Sequence, residues 1–239
     1  MNHFSLLIFA LAPSVIWLLY FLRKDVHPES NRMILKIFFY GMLIAFPAAL
    51  LELGFFWFTE KLNFSSTIIL ILNFFIGVAL VEEGLKYLVV KKKVLNNSEF
   101  DEPVDTMLYM IIAALGFAAL ENILILFSPQ IFFQPLVEIL GITAFRFVGA
   151  TFLHALCSGT LGFFLALSFC EPKNKFKYLI RKTGLGIAVF LHGLYNFSII
   201  AIEGDLKFIL PLIILISLAL FVFFGFRKVK KMESVCEVK

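Results

Sequence analysis

Residues 67–90, TIILILNFFIGVALVEEGLKYLVV, decide how the rest of the chain is read. After Thr67 the stretch is apolar apart from Asn73 until it reaches Glu82, and as a helix it is about 36 Å long, enough to cross a bilayer. Lys91, Lys92 and Lys93 follow at once and mark where the chain leaves the hydrocarbon. Two glutamates and a lysine therefore lie inside a membrane helix, where ionisable groups are costly and face a cavity, the bundle interior or each other.

The remainder of the 239 residues has the same character. It is 61% hydrophobic and 16% charged, with 31 phenylalanines and a mean hydropathy of +0.94. This excludes a water-soluble domain, a disordered chain and a coiled coil. The expected fold is all-α, a polytopic transmembrane bundle of about seven spans at roughly 4–22, 37–58, 67–90, 106–127, 143–169, 183–202 and 208–226. Residues 1–239 read as one integral-membrane domain, without repeats or low-complexity segments. Pro13 after Ala10-Leu11-Ala12, and the lack of a basic start, argue against a cleaved signal peptide. Cys157, Cys170 and Cys236 form no CxxC pair, which indicates neither a disulfide framework nor a thiolate zinc site.

The basic residues are unevenly shared between the loops. Seventeen of the 21 Lys and Arg fall at 23–36, 91–93, 173–182 and the C-terminal tail, against Lys61 and Lys207 on the other side. By the positive-inside rule the N-terminus is outside and the C-terminus cytoplasmic. The basic loops are suited to anionic lipid rather than to nucleic acid. Residues 128–142, apolar and broken by Pro129, Pro135 and Gly141, read as an outer-face interfacial or re-entrant segment, a candidate lid over an outward-facing wet cavity.

Other spans carry polar residues of the same sort. Glu121 and Asn122 lie in LGFAALENIL, His154 in FLHALCSG, and His192 and Asn196 in FLHGLYNF. Glu82 with Lys86, Phe117 with Glu121, and His192 with Asn196 are each four apart and share a helix face. At 1.5 Å per residue these groups occupy a slab about 10 Å thick, which implies a shared polar pocket. The stripe Ala150, His154, Ser158 and Gly162 allows close helix approach. An ion pair near a helix end, or hydrogen bonds from isolated His and Asn side chains, would explain any one of these residues. Glu52 and Arg146 are read as pairing with other polar groups or snorkelling. The combination is better explained by chemistry. A desolvated carboxylate can act as general base on water, and a His–Asn face can donate to an oxyanion. Alternatively Glu121, His154 and His192 could bind Zn2+ with a fourth position open. Cys157, in apolar surroundings, is a poor nucleophile.

EEGLK at 82–86, GFAALEN at 116–122, HALCSG at 154–159 and HGLYNF at 192–197 together resemble the PrsW family of bacterial membrane proteases. The opening APSVIWLLYFLRKD and the closing FGFRKVKK are similar to family members as well. The wider superfamily includes CAAX-type prenyl endopeptidases, whose EExxxR, FxxxH and HxxxN motifs differ here at Lys86 and Glu121. The resemblance implies a bacterial plasma-membrane peptidase that cuts a single-pass, anti-sigma-factor-like protein. It implies Glu82, Glu83, Glu121, His192 and Asn196 as catalytic residues, supported by Lys86, Phe117, Asn122 and His154. Some relatives carry His-x-x-x-Asp where this chain has His192 and Asn196, and Asn196 cannot hold charge. A proton- or cation-coupled transporter and a non-catalytic scaffold are the alternatives. Reporter fusions after Lys93 and at the C-terminus are expected to read cytoplasmic, and one at Gln130 external; a cytoplasmic Gln130 would overturn the seven-span reading.

Overall fold

A computed structural model describes residues 3–24, 27–97 and 99–232; Cys236 and Lys239 lie outside this range. Seven helices, or nearly continuous helix pairs, are long and apolar enough to cross a membrane. In chain order these are α1 (His3–Leu22), α2 (Asn31–Thr59), α3 (Ser66–Leu72) running through a π-helical stretch (Asn73–Leu80) into α4 (Val81–Lys93), and α5 (Pro103–Leu126). After the short α6 (Pro129–Phe132), α7 (Leu136–Val148) continues into α8 (Ala150–Cys170), followed by α9 (Asn174–Ala201) and α10 (Leu206–Lys230).

Local chemistry starts these helices where the sequence allows. The side chains of Ser30 and Ser65 accept from the Met33 and Ile68 amides. The α5 N-terminus has Pro103 in its first turn and a reciprocal Glu102–Asp105 capping box. α5 is buried almost all round, as expected of a central helix. Its small residues let neighbours approach its backbone. A Cβ on Gly41 of α2 would strike the Ala113 carbonyl, and one on Gly116 would strike the Phe38 carbonyl, so the α2–α5 crossing is pinned from both sides. On the opposite flank a Cβ on Gly162 of α8 would lie 2.6 Å from Met107 Cα, and Thr106 donates to the Gly162 carbonyl at 2.8 Å.

Two irregularities aim the polar residues. The π-helical stretch shifts the register just ahead of Glu82 and is anchored by Thr59, which donates to Asn73 at 2.7 Å. Such stretches recur at functional sites. The second is the break at Gly149 between α7 and α8. An unbroken helix of the 35 residues Leu136–Cys170 would be about 52 Å long, far beyond the hydrocarbon core. A Cβ at Gly149 would meet Tyr195 Oη at 2.6 Å and Phe145 O at 2.7 Å, and Trp17 donates to the Phe147 carbonyl at 2.8 Å beside the break. The helical break thus falls at Gly149 rather than near Gly141, which stays within α7 in open space. Residues 128–142 are α6 and the start of α7, docked through Ile139 onto Leu6, Ala10 and Leu126.

The connections gather by type. Ser30 donates to Glu99, joining the first and third loops, and Tyr109 of α5 donates to Glu29 of the first loop. Phe100 packs on Phe169 at the α8 end, and Lys24 lies over Phe223 of α10. The basic loops therefore share one end of the bundle. Gly41→Ala and Gly116→Ala are each expected to cost about 1–3 kcal/mol in thermal unfolding in detergent, because backbone cannot yield as a side chain does. Gly54→Ala and Gly186→Ala, with nothing within 4 Å, should be neutral or slightly stabilising.

Candidate active site

Lys86 is fully buried, as is Glu83, and Glu82 is 3% exposed. An ammonium taken from water needs all three of its protons satisfied. On α4 the i–4 and i–3 positions supply two partners: Lys86 donates to Glu82 at 3.0 Å and to Glu83 at 2.8 Å. The third proton goes to His154 Nδ1 of α8, 2.8 Å away. The Phe117 ring of α5 lies 4.3 Å from the ammonium and adds a cation–π contact. The EExxK spacing thus makes a compact ion cluster, completed across two other helices.

These contacts assign the histidine tautomers. Lysine can only donate, so His154 Nδ1 accepts and its Nε2–H faces Glu121 at 3.1 Å. His192 of α9 is 1% exposed and donates Nδ1–H to Glu83 at 3.0 Å. Its Nε2 then carries a lone pair and lies 3.9 Å from Glu82 Oε2. The two imidazoles meet edge to face, with ring centres 5.0 Å apart. Ser158, one turn along α8 from His154, donates to the second Glu83 oxygen at 2.7 Å.

Beyond His154 the network continues into α7. Arg146 reaches back past the Gly149 break and donates to Glu121 at 2.6 Å and to Asn122. Asn122 in turn donates to Thr151 at 3.2 Å. Glu121 has 31% of its side chain exposed and Arg146 13%, so the accessible edge of an otherwise closed cluster is here. Glu52 of α2, half-buried, extends the buried Gly41, Ala45 and Ala48 face and lies within electrostatic reach of Glu82, Glu121 and Lys86.

Glu82, Glu83, Lys86, Phe117, Glu121, Asn122, His154 and His192 come together as one connected set. Asn196 stands apart: one turn beyond His192, it is half-buried and makes no side-chain hydrogen bond among the described residues. Cys157 is free and buried in the apolar core, and makes none of the network's hydrogen bonds among the described residues. Ser158, Thr151 and Arg146 join the network although motif spacing did not single them out as site residues. The signal for Ser158 was its position in the small-residue stripe, and for Arg146 its charge within an apolar run.

Glu82, Glu83, His154 and His192 each offer a ligand atom, all within 4.8 Å of one another and all buried. Two carboxylates and two imidazoles are the donor types that zinc takes, so these residues fit a divalent metal. Glu121 lies outside that set and is engaged by Arg146 and His154. With its histidines neutral the network holds three carboxylates against Lys86 and Arg146, leaving one negative charge for a proton or a cation to balance. Lys86 donates to three of these four residues, Glu82, Glu83 and His154.

Seven apolar helices closing on a buried, multi-helix carboxylate–imidazole network define a polytopic membrane protein with an intramembrane polar site. The family model for PrsW family intramembrane metalloproteases matches residues 29–225. Protease PrsW of Bacillus subtilis is 29% identical over 234 residues, 97% of each chain. Protease PrsW of Geobacillus kaustophilus is 31% identical over 201 residues, 84% of this chain and 82% of that one. Protease PrsW of Clostridioides difficile is 29% identical over 216 residues, 90% and 87%. No solved structure matches the chain. The chain belongs to the PrsW family, and it is a multi-pass protease of the bacterial membrane.

Removing the central cation exposes its cost. Lys86→Met is expected to destabilise by about 3–5 kcal/mol, since it strands buried carboxylates. Lys86→Met/Glu83→Gln should recover part of that loss. A single variant that melts like wild type would contradict the ion-cluster reading.

Proposed function

We propose that the protein hydrolyses a peptide bond of a single-pass, membrane-anchored protein of the anti-sigma-factor kind, with water activated by Glu82. The observation that carries this reading is the convergence of Glu82, Glu83, His154 and His192 within 4.8 Å inside the bilayer-spanning bundle. A substrate that is itself a membrane helix can bring its backbone to such a site.

Glu82 and Glu83 then have different roles. Glu83 is engaged on both oxygens by Lys86, His192 and Ser158, so it positions. Glu82 keeps acceptor capacity, and its Oε2 faces His192 Nε2 across 3.9 Å, too far for a direct bond. Glu82 takes a proton from water as the oxygen adds to the scissile carbonyl carbon, and returns it to the amide nitrogen as the C–N bond breaks. His192, with Nδ1–H held by Glu83, can carry at Nε2 the proton that balances the network's one negative charge, and from there donate a hydrogen bond to the tetrahedral oxyanion, keeping that proton as the C–N bond breaks, with Asn196 as a second donor. Arg146 holds Glu121 in place, and Glu121 fixes the His154 ring. When bound, a divalent metal supplies Lewis-acid polarisation and more acidic water, and Glu82, Glu83, His154 and His192 are the residues that would hold it.

The same reading treats residues 1–239 as one catalytic domain with the N-terminus outside and the C-terminus cytoplasmic. The gathering of the basic loops at one end supports that orientation. Water would enter by the Glu121–Arg146 edge, with 128–142 as its outer cover.

Purified protein incubated with candidate single-pass substrates and read by mass spectrometry tests the proposal. Glu82→Gln, Glu83→Gln and His192→Ala should each lower cleavage about 100-fold or more while remaining folded. Cys157→Ala should be near wild type. An essential Cys157 with dispensable glutamates would overturn the mechanism. Elemental analysis should find a divalent metal in wild type and much less in His154→Ala/His192→Ala; no stoichiometric metal, with activity surviving strong chelation, would remove the metal from the account.

A further inference from the structure

A second cavity lies at the basic end of three of the helices that carry the network, α4, α8 and α9. Tyr87 and Lys91 of α4, Leu161 of α8, and Arg181, Lys182 and Leu185 of α9 surround a cavity of about 270 Å³. Leu161 is seven residues from His154, and Leu185 seven from His192. The cavity is thus about 10 Å from the cluster along the helix axes. α4 touches α8 and α9 only sparsely, so this space is a gap in the packing of the very helices that must hold Glu82, His154 and His192 in register.

Its charge is one-sided. None of Lys91, Arg181 or Lys182 makes an ion pair among the described residues. Arg181 is held at its Nε by Ser168, 2.8 Å away, and lies 5.2 Å over Phe169, which leaves its terminal nitrogens to other partners. Lys182 lies 4.4 Å from the Tyr178 ring centre. Leu161 and Leu185 make an apolar floor beneath these cations.

We propose that this cavity binds one anionic phospholipid, its phosphate among Lys91, Arg181 and Lys182 and its glycerol and upper acyl carbons on Leu161 and Leu185. Basic pockets between membrane helices take anionic headgroups by this chemistry. Three cations over an apolar floor suit a phosphate attached to a lipid better than a free anion. The bound lipid fills the gap and braces α4 against α8 and α9.

The full-length protein in nanodiscs of phosphatidylcholine with phosphatidylglycerol would be extracted gently into detergent, and retained lipid counted by native mass spectrometry. Wild type should keep one phosphatidylglycerol in preference to phosphatidylcholine. Lys91→Gln/Arg181→Gln/Lys182→Gln should weaken retention about a hundredfold. Lys228→Gln/Lys230→Gln/Lys231→Gln, an equal loss of charge on α10 and just beyond it, should leave retention unchanged. Leu185→Trp, which fills the floor without altering charge, should displace the lipid and covers the case in which the triple pocket variant fails to fold. Equal loss in both triple variants, equal retention of phosphatidylcholine, or full displacement by inorganic phosphate would each overturn the proposal. Peptidase activity does not enter the readout, so the outcome is independent of the proposed mechanism.

Discussion

The Lys86 ammonium sets the terms for everything around it. A bare cation in a membrane bundle is expensive, and each of its three protons has a dedicated acceptor, Glu82, Glu83 and His154. Two acceptors come from its own helix and the third from α8, so satisfying the charge draws α4 and α8 together. Glu83 then draws in α9 through His192, and His154 draws in α5 through Glu121. Four helices meet because one buried charge and its counter-charges must be paired, in a medium that offers no water as a substitute.

Packing makes that meeting possible. Glycine contacts at Gly41, Gly116 and Gly162 bring α2 and α8 against the α5 backbone, close enough for hydrogen-bond distances across the helices. The π-helical stretch at Asn73–Leu80 precedes the glutamates directly, and the break at Gly149 turns α7 so that Arg146 meets Glu121. The irregular backbone lies next to the polar residues, where it can aim side chains.

Much of this was legible in the chain itself. Apolar runs of about 20 residues give the spans, and the spacing of Glu82, Glu83 and Lys86 gives their shared face, because both follow from fixed helix geometry. Depth counting brought Glu82, Glu121, His154 and His192 to overlapping levels, and the structure joins them in one network. The rotation of each helix was not legible. It decides that Ser158 meets Glu83, and that the four ligand atoms nearest one another come from Glu82, Glu83, His154 and His192 rather than from a set including Glu121. Gly141 and Gly149 look alike as breakers; the Tyr195 hydroxyl and Phe145 carbonyl packed against Gly149, with open space at Gly141, tell them apart. A π-helical register shift has no compositional mark, and Arg146 in isolation is indistinguishable from a snorkelling arginine.

The proposed hydrolysis turns on water, activated by a carboxylate that never bonds to the substrate. A single turnover in H₂¹⁸O, with excess enzyme over a single-pass substrate, separates the possibilities. Peptide mass analysis of both the product and the segment containing Glu82 and Glu83 is the readout. Direct hydrolysis predicts one ¹⁸O in the new C-terminal carboxylate of the product and none in either glutamate. An ¹⁸O retained in Glu82 or Glu83, with unlabelled product, would mean that the carboxylate had attacked the carbonyl itself and would contradict the account.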